Sequence, residues 1–103
     1  MEITRDMLEE LAWEELHMCA KRLRFWTLIA EEELKKETLW EPLYGLLFWA
    51  KVEFHRRRVY LAEAIPEVGK ETPEVEERGS QVLLKVEERR REEYEKRKKA
   101  QEP

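Results

Sequence analysis

An all-α architecture is expected for this chain: a long antiparallel helical hairpin, then a charged C-terminal helix, the bundle being completed by oligomerisation. Of 103 residues, 43% are Asp, Glu, Lys or Arg, and the acids are 23 Glu against the single Asp6. Glu, Lys, Arg and Leu are strong helix formers. Gly and Pro number only three and four, and Asn is absent. A sheet of six or seven strands would need the turn residues that are missing. Apolar residues also recur at helical spacing, and 35 of the 43, with nine of the ten aromatics, fall within residues 1–66. The length allows one domain.

The first helix is expected from Arg5 to Glu37, with Thr4 as N-cap and Asp6 favourable in the first turn. Leu8, Leu11, Ala12, Leu16, Met18, Cys19, Leu23, Trp26, Ile29, Ala30 and Leu34 share a broad apolar face. Trp13 and Leu28 fall on the polar side, with Glu14 and His17. Glu15 and Arg22 lie inside the apolar sector. Seven residues apart, they cannot pair with each other, so partners on the second helix or a second chain are expected. Arg57, Arg58 and Lys51 are the candidates for Glu15.

The second helix should start near Leu39–Pro42, where Thr38-Leu39-Trp40-Glu41 fits a capping box, and end at Ile65 before Pro66. No glycine marks the turn, so one long helix kinked at Pro42 competes with the hairpin. Leu43, Leu47, Ala50, Phe54, Leu61 and Ile65 make one stripe; Tyr44, Phe48, Val52, Val59 and Ala62 make a second; Trp49 and Tyr60 point a third way. A helix apolar on several sides must be covered on several sides. The expected cover is another protein chain: a homodimer with a four-helix core, or a larger hetero-complex. Its contact residues are expected to be Trp40, Tyr44, Phe48, Trp49, Phe54 and Tyr60, because aromatics and Arg dominate interface energetics.

Residues 1–65 thus read as the hairpin core, 66–73 as a Pro-bounded linker, and 74–103 as a charged helix and tail. The third helix is expected to start with Thr72 as N-cap and Pro73 at its first position, with a break at Gly79-Ser80. It offers a narrow row of Val75, Val82 and Val86. Glu87/Arg91, Glu92/Lys96, Glu93/Arg97 and Glu95/Lys99 are spaced to pair along it.

Several function classes are excluded. No run of about 18 uncharged apolar residues exists to span a membrane. From the acidic start, neither a secretory leader nor an Arg-rich transit peptide is expected. The lone Cys19 fits a reducing, cytoplasmic setting. Abundant Glu, Lys and Arg with almost no Asn or Gln resembles thermophile composition. There is no Gly-rich phosphate loop, zinc pattern or Ser-nucleophile motif, so no enzyme activity and no cofactor are expected. Cys19, on the apolar face, reads as a small hydrophobe, and His55 as an interface histidine bonded across a subunit contact.

Two alternatives to an assembly subunit stand. Arg56, Arg57 and Arg58, with Arg89, Arg90 and Arg91 in a 89–99 stretch of seven cations and three anions, could contact phosphates within a nucleoprotein complex. The net charge of −4 and the pI near 5.4 oppose autonomous nucleic-acid binding. Glu14-Glu15-Leu16-His17 contains Glu-x-x-His, so a dimer could gather Glu14, His17 and Glu63 into a ferritin-like di-metal site. Against it, His17 lies well outside the apolar face.

Overall fold

Thr4 opens the first helix as expected: its hydroxyl accepts the Met7 N–H at 3.3 Å. A computed structural model describes residues 2–70 and 73–101. They form α1 (Arg5–Glu33), α2 (Leu43–Ala64), a 3-10 turn (Pro66–Lys70) and α3 (Pro73–Gln101), with no strand among the described residues.

The boundary between α1 and α2 differs from expectation, and the reason is local. α1 ends at Glu33, not Glu37, and tightens as Lys35 and Lys36 N–H bond the Glu32 and Glu33 carbonyls at 3.2 and 3.0 Å. Arg89 of α3 then takes up the loose carbonyls: its guanidinium donates to Leu34 O at 3.1 Å, to Glu37 O at 2.6 Å and to Lys36 O. The Thr38–Glu41 capping box does not form. Pro42 occupies the N-cap of α2 with no side-chain cap bond, and its carbonyl accepts Leu46 N–H at 3.1 Å. The chain is therefore a hairpin and not one kinked helix. α2 stops at Ala64, with Ile65 leaving helical geometry before Pro66.

The 66–73 segment is more than a spacer, because Val68 of the 3-10 turn is fully buried. Thr72 lies outside the described residues. α3 runs unbroken through Gly79-Ser80, where Ser80 Oγ donates back to Glu76 O at 2.9 Å instead of capping a new helix.

Cross-helix contacts give the direction of α3. Tyr44 meets Glu87 and Arg58 meets Glu76, so α3 is antiparallel to α2. Arg78 meets Glu31 and Arg89 meets Leu34, so it is parallel to α1. The result is an up-down-up bundle measuring 70 × 24 × 21 Å. Its length arises from stagger: α1 starts before α3 does, and the last turns of α3 pass beyond the hairpin turn.

Leu16, Leu23, Leu43, Leu47, Phe54 and Val86 fill the centre, with Val82 and Leu83 joining from α3. Phe54, expected at an interface, is wholly enclosed by its own chain. On α1 the expected apolar face splits. Leu16, Cys19, Leu23 and Ala30 are buried, whereas Leu8, Leu11 and Met18 are exposed and Trp13 packs on the core. Both neighbouring helices lie on the Leu23 side. Gly79 brings α3 close there, since a Cβ on it would sit 3.0 Å from Leu23 Cδ1.

Candidate protein-binding face

With α1 and α3 packed on the Leu43–Phe54 side of α2, the opposite side of that helix stays open. There Phe48, Val59, Trp49 and Tyr60 are 38%, 49%, 63% and 73% exposed. Phe48 stacks on Tyr44 at 6.0 Å between centroids and meets Trp49 edge-on at 6.1 Å. Gly45 lies on the same side, and a Cβ added to it would touch nothing within 4 Å. Trp40, half exposed, stands apart in the hairpin turn.

Tyr44, expected at the interface, belongs largely to the α2–α3 contact. Its hydroxyl donates to Glu87 Oε1 at 2.8 Å, and the Arg90 guanidinium covers its ring at 4.4 Å. The carboxylate acceptor, followed by burial, raises the phenol's pKa above its ordinary value. His55, expected to bond across a subunit contact, bonds within its own chain, with Nδ1 2.5 Å from Glu76 Oε1. Arg58 donates to the other oxygen of that carboxylate at 2.6 Å.

A ladder of charges joins α1 to α2. Arg57 pairs with Glu15 at 3.0 Å and reaches Glu53 at 3.8 Å, while Arg22 pairs with Glu53 at 3.0 Å. Glu15 thus finds one of its three expected partners, and Arg22 a partner on the second helix. Cys19 lies buried behind the ladder. Burial, reinforced by Glu53 and Glu15, raises its thiol pKa, so it is a poor nucleophile.

The other basic residues divide. Arg89 holds the hairpin turn, Arg90 covers Tyr44, and Arg97 lies 3.5 Å from Glu41. Arg56 and Arg91 are exposed. Of the expected pairs along α3, Glu87 turns to Tyr44 and Glu93 to Arg89 at 3.4 Å instead. Glu14, His17 and Glu63 are all exposed, and the His17 ring lies 5.9 Å from Trp13. Among the described residues no three His, Cys, Asp or Glu side chains gather to hold a metal, and no helix is long and apolar enough to cross a membrane.

The sequence reading missed a second apolar stripe on α1. Leu11, Met18 and Phe25, at seven-residue spacing, are 57%, 58% and 57% exposed. That spacing was the available signal. Compared with known protein families, curated proteins and solved structures, the chain matches none of them.

Proposed function

We propose that the protein is a non-enzymatic helical assembly subunit that docks on protein through the outward face of α2. One observation carries this reading: Phe48, Trp49, Val59 and Tyr60 stay open on the side of α2 facing neither neighbour. Burying a large apolar side chain is worth about 1.5–3 kcal/mol, so a contiguous set left in water is an unused binding surface. Trp and Tyr beside the exposed Arg56 are the residue types that anchor protein interfaces. Gly45 adds support. A glycine inside a helix costs about 0.5–1 kcal/mol relative to Ala, and no side chain of this molecule needs the space.

Photo-crosslinking in cells that make the protein tests the reading. A photoreactive residue replacing Trp49 is expected to give protein adducts, and one replacing the exposed Lys85 of α3 is not. No adduct from position 49 would overturn it.

A further inference from the structure

We infer that the protein docked on Trp49 and Tyr60 of this surface is a second copy of the chain, apposed antiparallel across the α1–α2 face about a two-fold axis level with Met18. The inference rests on the docking role proposed above and names its partner.

The face turned away from α3 has three strips. The charge ladder of Glu15, Arg57, Glu53 and Arg22 runs down the middle. Leu11 and Met18 stand one helical turn before Glu15 and Arg22, and so border the ladder along α1 with Phe25. Trp49 stands one turn before Glu53, and borders it along α2 with Tyr60.

In a two-fold interface, residue i meets residue j of the copy and j meets i. For antiparallel helices the meeting pairs are equidistant from the axis. On α1, Leu11 and Phe25 lie seven residues either side of Met18, and all three are 57–58% exposed. Glu15 and Arg22, opposite in charge, straddle the same point to within half a residue. Glu14 and Lys21 do so equally closely, from the other side. On α2, Trp49 and Tyr60 are centred between residues 54 and 55, and Glu53 and Arg57 on residue 55.

These two centres come from separate helices, yet they lie at one height in the bundle. The Glu15–Arg57 and Arg22–Glu53 pairs set the middle of 15–22 against the middle of 53–57. A single axis perpendicular to the helices therefore serves both. About it, Leu11 meets Phe25 of the second copy, Met18 meets its equivalent, and Trp49 meets Tyr60. Glu15 meets Arg22, and Glu53 meets Arg57, so the ladder is complementary to itself. An unrelated partner imposes no such symmetry.

The area also fits. Five large side chains, each more than half exposed, present on the order of 600 Å² at roughly 150–250 Å² for a whole aromatic residue. With the ladder added, this approaches the roughly 800 Å² per partner of a standard interface.

The axis is testable with the intact chain. In a Cys19→Ala background, Met18→Cys places two thiols beside the axis, and a short bis-maleimide is expected to convert most of the protein to a covalent dimer. Leu28→Cys, also exposed but ten residues from the axis, is expected to give little. Light scattering should return twice 12.6 kDa at tens of micromolar. A monomeric mass there overturns the inference. So does a dimer linked no better by position 18 than by position 28. In either case, adducts from position 49 in cells would leave the docking reading standing.

Discussion

Arg89 does at the hairpin turn what a C-terminal glycine does at many helix ends: it satisfies carbonyls left over when α1 stops. It acts from 55 residues away along the chain, so nothing in the local sequence 33–42 announces it, and the expected end at Glu37 overshoots. Charge-assisted bonds of this kind contribute about 1.5–3 kcal/mol. Arg89→Ala is expected to lower unfolding free energy by about 2 kcal/mol, with Arg89→Lys restoring only part because an ammonium lacks the planar fork. Urea denaturation followed by circular dichroism checks this; an unchanged midpoint would show that the contact adds nothing. The two helical glycines described here should respond in opposite directions. Gly79→Val drives a branched side chain into buried Leu23 and is expected to cost about 1–3 kcal/mol. Gly45→Ala meets open space and should gain about 0.5–1 kcal/mol in the unassociated chain. The same denaturation series decides both signs.

The elements were legible in proportion to how one-sided their patterns are. The Leu43, Leu47, Ala50 and Phe54 stripe of α2 goes into the core as its 3.6-residue period requires, although Leu61 is only partly covered and Ile65 is buried from beyond the helix end. α1 carries apolar residues around more than half its circumference, so its period alone cannot choose a core side. The choice falls to Leu16 and Leu23 because α3 packs there, leaving Leu11 and Met18 out. α3 was underestimated because Leu83 adds to a row of valines in a stretch otherwise dense in charge. Its contact with α2 has a pH signature. The Tyr44 phenol donates to Glu87 and its folded pKa is raised above the unfolded value of about 10. The stability from this bond is therefore complete below pH about 10 and is lost as pH rises through the higher folded value. Above pH about 10 the midpoint of the native chain should fall more steeply with pH than that of Tyr44→Phe, because the exposed Tyr60 and Tyr94 are common to both. Parallel slopes would remove the bond from the account of stability.

For the molecule as a whole, association and folding should separate cleanly. Phe48→Asp with Trp49→Asp places charges on the open side of α2 while leaving Leu43, Leu47 and Phe54 buried. The double variant is expected to keep its helical circular dichroism and lose assembly mass in light scattering; retained mass would mean that chains meet elsewhere. The staggered helices also have a hydrodynamic consequence. A radius of gyration of 18.0 Å exceeds the roughly 13 Å of a compact chain of about 100 residues. A particle 70 Å long and 24 × 21 Å across drags through solvent more than a sphere of equal mass. On a gel-filtration column a single copy should therefore elute early, at the volume of a somewhat heavier globular protein. Elution position alone would mistake its shape for a partner.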